Sequence, residues 1–199
     1  MSHPFRHLHT ISKHRRQVLK NAWHMGIFLF ALHHDITKLS PKEFLPSAKY
    51  YKGTSSPVYE QRLHERYFSS IAQHHTRRNP HHWEYWVDFF NGYILIKTMP
   101  YKWACEYVCD VLAASKTYEG ESFKPQHAYD YFKGKCGHYY MTEATKEFVT
   151  WCLYEYMDGG WERLKRKKTK AKYDQITSRL QDVEVVTSLR TDGEPPKVI

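Results

Sequence analysis

Histidines and acids that could bind metal recur along this chain at His14, His34-Asp35, His74-His75, His81-His82 and Glu106-Asp110. Neutral imidazole nitrogen and carboxylate oxygen are the usual ligands of zinc, manganese and iron. If these groups serve one centre, the chain must return to it from several separate elements, as ligands do in the core of a helical bundle. Fourteen histidines in 199 residues, three pairs of them as doublets at His33-His34, His74-His75 and His81-His82, are too concentrated to be read singly. His3, His7, His9, His64, His127 and His138 are read differently, as helix caps or surface residues.

The centre of the pattern is Leu32-His33-His34-Asp35-Ile36-Thr37-Lys38, at the end of the longest apolar run, Ile27 to Leu32. Consecutive helical side chains point in different directions, so His34 and Asp35 converge on one ion only if the helix is distorted there. Lys38 follows Asp35 by three residues, about one helical turn, so its ammonium can reach an anion held by that ion.

The segments between these ligands read as helices. Residues 1–11 show no clear pattern. Ser12 is a candidate cap for a helix from Lys13 to His33, with Gly26 as a point of division. Ser40-Pro41-Lys42-Glu43 starts a second helix, running through Tyr50. After the loop Gly53 to Pro57, a third is expected from Val58 to His75, closing before Asn79-Pro80. Pro80, at a first helical position, opens a helix with a wide aromatic face, Pro100 a helix carrying Glu106 and Asp110 on one face, and Thr142 a last core helix that ends at Gly159-Gly160. With almost no alternating stretches in the body, the expected class is all-α. The expected organisation is one helical domain over residues 1–159, followed by a basic, flexible tail over 160–199 in which Val183 to Val186 is β-prone.

Net charge is +9, but seven basic residues lie between Arg163 and Lys172, where there is no acid. Taking those seven from the thirty leaves 23 against 21 acidic residues, so the body is nearly neutral. Nucleic acid is therefore a partner only for that segment, not for the domain as a whole. Cys105, Cys109, Cys136 and Cys152 lack the density of a secreted disulfide scaffold and read as reduced thiols, the first two as buried small residues on one helix face. The apolar run is too short to span a bilayer, and the expected location is the cytoplasm.

The order His14, His34-Asp35, Asp110, with Lys38 in His-Asp-Ile-Thr-Lys, resembles the HD-domain metal-dependent phosphohydrolases, whose signature is H…HD…D and often HD-x-x-K. The blocks K-H-R, H-H-D-I-T-K-L-S-P-K-E-F, Q-H-H-T-R-R-N-P-H-H-W-E-Y-W and E-Y-V-C-D-V-L-A-A-S, spanning Ile11 to Gly120, more closely resemble a family of small bacterial and phage HD-like proteins. The resemblance implies an HD-like helical bundle with His14, His34, Asp35 and Asp110 around a divalent transition metal; manganese, zinc, iron, cobalt and nickel are not distinguished. HD proteins with two ions carry further histidines between the HD pair and the last Asp. His75 and His82, or their neighbours His74 and His81, occupy that interval, and Asp35 would then bridge the two ions. A metal-activated hydroxide would attack a small phosphate ester such as a nucleotide, with Asp35 and Lys38 as the catalytic pair. Lys38, Arg77, Arg78 and Asn79 would meet the phosphorylated substrate, with Lys13 or Arg15 as further candidates. Two other expectations stand beside this one: an oxygen-using di-iron enzyme with the same ligand order, and a non-catalytic nucleic-acid or protein partner acting through Arg163 to Lys172.

Overall fold

The computed structural model describes residues 3–187 and 197–198. It is mostly helical, with nine α-helices and a small sheet among the described residues. The centre is a long antiparallel pair, α1 (Pro4–His24) against α6 (Tyr101–Glu119). Small and β-branched side chains line this seam, including Val18 and Ala22 of α1 and Cys105, Val108 and Cys109 of α6, all fully buried. Their size lets the backbones approach, and Asn21 fastens the pair by donating from Nδ2 to the Cys109 carbonyl at 3.0 Å. All four cysteines are free thiols, and burial pushes that of Cys105 up to about 12, as expected of packing residues.

Helix α1 begins nine residues before the expected start. Pro4 occupies its first turn, and His7, Ile11, His14, Val18 and Ala22 share its buried face. Two of those positions are histidine, which breaks the apolar stripe that periodicity detects. Gly26, at φ +70°, does divide this helix from the next, α2 (Phe28–Ala31). Helix α3 (Pro41–Tyr50) starts at the expected proline. The single helix expected over 58–75 is two, α4 (Pro57–His64) and α5 (Ser70–Thr76). Between them Arg66 and Tyr67 take positive φ, and Ser69 caps α5 by accepting from the Ala72 amide at 3.0 Å.

Helices α7 (Pro125–Lys135), α8 (Glu143–Gly159) and α9 (Arg166–Thr177) complete the core around α6. Phe132 and Phe148 are fully buried within it; truncating such a side chain to alanine costs about 3–5 kcal/mol. Helix α7 escaped the sequence reading because only Ala128 and Phe132 are buried along it.

Two expectations are corrected. The all-α class omits an antiparallel sheet, in the order β1 (Val87–Phe90), β2 (Tyr93–Lys97), β3 (Val183–Thr187), β4 (Lys197–Val198). Strands β1 and β2 form a hairpin around Asn91-Gly92, both at positive φ, the conformation a two-residue turn of this type requires. Strand β1 is mostly exposed on both sides, so it carries no alternation to read.

The second correction concerns residues 160–187, which are part of the folded body and not a separate tail. Leu164 and Ile176 are fully buried in the main core, and β3 pairs with β2 from Ile94↔Val186 to Lys97↔Val183. Several charges of the basic segment are spent locally: Arg163 pairs with Asp158 at 2.7 Å, Lys165 with Glu162 at 2.9 Å, and Lys168 lies over the Trp151 ring. The expected tail from 188 to 196 lies outside the described residues. No helix among those described is long and apolar enough to cross a membrane.

Candidate metal centre

The chain breaks helical geometry at the His34-Asp35 step. Asp35 takes φ 55°, ψ 20°, a left-handed conformation uncommon outside glycine, and starts a 3-10 turn over Ile36–Leu39. That turn aims two consecutive side chains at one point. Arg15 holds the segment by donating to the carbonyls of His34 at 2.9 Å and Leu32 at 3.2 Å, so it serves the backbone and is not free for a phosphate.

His14 from α1 and Asp110 from α6 meet this pair. His14 Nε2 lies 2.9 Å from Asp110 Oδ1 and 3.7 Å from Asp35 Oδ2, while His34 Nε2 lies 3.3 Å from Asp35 Oδ2, 3.6 Å from Asp110 Oδ1 and 3.4 Å from His14 Nε2. An ion bonded tetrahedrally at about 2.0–2.2 Å spaces its donors about 3.3–3.6 Å apart. Three of the five separations fall in that range, so the four atoms are gathered closely enough for one small transition-metal ion, with His14 and Asp110 moving slightly apart to take it.

The other oxygen of Asp35 faces a second set. Oδ1 is 3.1 Å from His75 Nε2 and 3.4 Å from His81 Nε2, and His82 completes the group. Asp35 Oδ1 and the Nε2 atoms of His75, His81 and His82 are all buried with no well-directed hydrogen bond. Orphaned buried polar atoms are costly, and four converging on one point are what a cation would satisfy. Of the first doublet it is His75 that faces this point, while in the second both His81 and His82 do. His81 and His82 sit in a turn instead of on the expected helix, and Trp86 braces that turn by donating to the Pro80 carbonyl at 2.7 Å.

Two buried carboxylates lie behind the imidazoles. Glu106 Oε1 is 2.8 Å from His34 Nδ1 and 3.3 Å from His81 Nδ1. Glu43 Oε1 is 2.7 Å from His75 Nδ1, with Oε2 3.1 Å from His74 Nδ1. A carboxylate on Nδ1 keeps the proton there and turns the Nε2 lone pair toward the ion. Glu106 was read as a candidate ligand on one face with Asp110, and Glu43 only as a first-turn acid. The signal that marks Glu106 was its i, i+4 spacing to Asp110; nothing local marks Glu43.

The electrostatics are those of a tightly coupled cluster. Burial opposes charge on Asp35, but His34, Lys38 and His75 together hold its carboxyl well below the usual range. Burial likewise opposes charge on Asp110, outweighed by His14 and His34. His82 is pushed well below its ordinary value by burial and then by His81 and His75, which leaves a neutral imidazole. Lys38 pairs directly with Asp35 Oδ2, and despite burial the Asp35 and Asp110 carboxylates raise its pKa, so it is a cation.

Lys38 also lines a cavity of about 360 Å³ that reaches His14, His75, His82 and Asp110. The other expected substrate contacts are not there. Arg77 and Arg78 follow the end of α5 and are exposed; Arg77 lines a different groove, and Arg78 donates to the His74 carbonyl at 3.3 Å. Asn79 is buried and structural, donating to the His75 carbonyl at 2.8 Å and to Thr37 Oγ1 at 2.8 Å. Helix α5 ends at Thr76, so Arg77 and Arg78 do not continue the face that turns His75 inward. The arginine at the cavity is Arg62 of α4, which the sequence reading passed over.

A family described as a family of unknown function, DUF5662, matches residues 3–154. The chain belongs to that family. Every candidate ligand, from His14 to Asp110, falls inside the DUF5662 match, whereas α9 and β3 lie beyond it. No curated protein and no solved structure matches the chain.

Proposed function

We propose that this DUF5662 protein is a metal-dependent phosphohydrolase acting on a small phosphate ester. One arrangement supports the reading: Asp35 offers one oxygen to each of two ligand sets, and Lys38 lies on the same carboxylate in the wall of the cavity those sets share. His14, His34, Asp35 and Asp110 would hold one divalent ion, and Asp35, His75, His81 and His82 a second. Bound there, such ions polarise a phosphoryl oxygen and bring the pKa of water down to about 7.

The side chains do the rest. Lys38 presents a fixed ammonium to phosphate oxygens and stabilises the charge that builds on them during transfer. Glu106 and Glu43 hold a proton on the Nδ1 of three of these imidazoles, so that Nε2 is the nitrogen left to meet an ion. The cavity walls restrict water around the reacting group, which strengthens each of these interactions.

A second reading, an HD-type di-iron oxygenase, draws on the donor set around Asp35 Oδ1. Three imidazoles and one carboxylate suit iron as well as zinc. Metal analysis of the full-length protein, followed by phosphate-release assays over a panel of phosphate esters with Asp35→Ala as control, tests both. The hydrolase reading expects metal-dependent phosphate release that Asp35→Ala abolishes. Iron with oxygen consumption and no phosphate release would replace it with the oxygenase, and a chain that retains no metal after reconstitution would remove both.

A further inference from the structure

His7 was expected to be a helix cap or surface residue, yet it is only 6% exposed and lines the cavity that holds Lys38, His14 and His75. Neither of its ring nitrogens has a hydrogen-bond partner. Aromatic rings surround it: Phe44 stacks at 5.5 Å between centroids and Tyr51 lies at 5.0 Å. Burial, reinforced by Lys38, pushes its pKa down to about 4, so at neutral pH it is an uncharged ring with one N–H donor and one bare nitrogen acceptor. Leaving both unpaired in a buried wall carries a desolvation cost that a ligand would relieve.

Its position sets the length of that ligand. His7 precedes His14 by seven residues on α1, two turns along one helix face, or about 10 Å at 1.5 Å per residue. Between them Thr10 and Ile11 line the same wall, and the Thr10 hydroxyl is tied to Tyr51 Oη at 2.6 Å. Cations are few: Lys38 near the ligand sets and Arg62, which is exposed. Carboxylates of Glu43, Glu84 and Asp110 line the cavity too, so a chain of several phosphates would meet repulsion where a single one at Lys38 would not.

We propose that His7 is the specificity-determining residue of this site, reading an uncharged hydrogen-bonding group at the far end of a phosphate monoester whose body reaches about 10 Å from the ligand sets. The group it reads is a hydroxyl, amide or heterocycle edge that both gives and takes a hydrogen bond. The inference rests on the phosphohydrolase reading for the phosphate end alone.

The test uses full-length, metal-loaded protein and its His7→Phe and His7→Gln variants. The probes are the nucleoside 5′-monophosphates, which carry a polar heterocycle at about the required distance, and ribose 5-phosphate, which lacks one. The expected result is preference for at least one nucleotide, with His7→Phe raising its KM about tenfold at unchanged kcat and metal content. His7→Gln, which keeps a donor and an acceptor, should restore part of that loss, and ribose 5-phosphate should respond to neither variant. Turnover of both probe classes with nucleotide KM unchanged in His7→Phe would overturn the inference and leave the hydrolase standing. Should nothing be hydrolysed, calorimetric titration of the same probes decides: nucleotide binding weakened in His7→Phe upholds the His7 assignment while the hydrolase falls, and absence of nucleotide binding overturns it.

Discussion

His14 and Asp110 stand on two long helices that pack against each other, whereas His75, His81 and His82 come from a seven-residue helix and a turn. The first half of the site is held by the hydrophobic seam between α1 and α6, so its geometry follows from the core. The second half has little core of its own. It is held by polar contacts: Glu43 behind His75, Glu106 behind His81, Asn79 across the end of α5 and Trp86 across the turn. Where burial cannot fix a ligand, hydrogen bonds to its outer nitrogen or its backbone must do so, and they do it one group at a time.

Asp35 joins the halves, so removing it should have the largest effect. Asp35→Ala is expected to lose both ions and to lower phosphate release by on the order of 10⁴-fold or more. Asp110→Ala should empty only the first set and His82→Ala only the second, with elemental analysis of each variant as the readout. Equal metal loss in all three would mean that the two halves are a single site.

Cutting the chain after Gly159 tests whether the long-helix half depends on α9. The cut removes Leu164 and Ile176 from the core, at about 1.5–3 kcal/mol for each fully buried side chain, together with β3. Denaturant unfolding should show a loss on the order of 3–6 kcal/mol, or no folded protein. A truncated chain as stable as the parent would return residues 160–187 to the status of a tail.

Lys38 serves both halves through Asp35 without being a ligand. Lys38→Met is expected to keep both ions and lose about a hundredfold in rate, on the order of 3 kcal/mol. Full activity in metal-replete Lys38→Met protein would take Lys38 out of the chemistry and favour the oxygenase reading.

The carboxylates behind the imidazoles separate the halves more finely. Glu43→Gln should weaken metal binding about 10- to 100-fold in the second set only, and Glu106→Gln should weaken both, because it touches His34 and His81. Competition titration against a chelator would show one affected affinity in the first variant and two in the second.

The smallest effect concerns His7, on the same helix as His14. Its folded pKa lies near 4 against an ordinary 6.5. As pH falls below 6.5 the unfolded chain takes up a proton that the folded chain refuses, so stability falls between about pH 6.5 and 4 and levels off below. Unfolding at pH 7 and pH 5 should show a drop with a His7 share of about 1–2 kcal/mol. His7→Phe should remove that share.

Legibility of the site followed its two halves. His14, His34, Asp35 and Asp110 were singled out as a set by the resemblance of their order to the HD-domain signature; residue types alone listed them among other candidates. The doublets could be named only as doublets: whether one member or both faces inward depends on whether the backbone there is helix or turn. Lys38 was placed by its one-turn distance from Asp35, a local relation. Arg77, Arg78 and Asn79 were misplaced since the direction of a side chain after α5 depends on where that helix ends. His7 was dismissed because a lone histidine at a chain's start carries no sign of the rings that will bury it.

The hairpin teaches the same distinction. Asn91-Gly92 was a local turn signal open to reading, but β1 and β2 become part of a sheet only through β3, about ninety residues later in the chain. By itself the sequence determined what is set by neighbours within a turn or two: the proline and threonine helix starts, the break at Gly26, the kink-prone His34-Asp35 step and the ligand chemistry. Tertiary structure alone decided the direction of His7, His81, Glu43, Glu106 and Arg62, and the burial of residues 160–187. Each of these depends on packing between segments far apart in the chain, and no local pattern encodes which distant surface a side chain will meet.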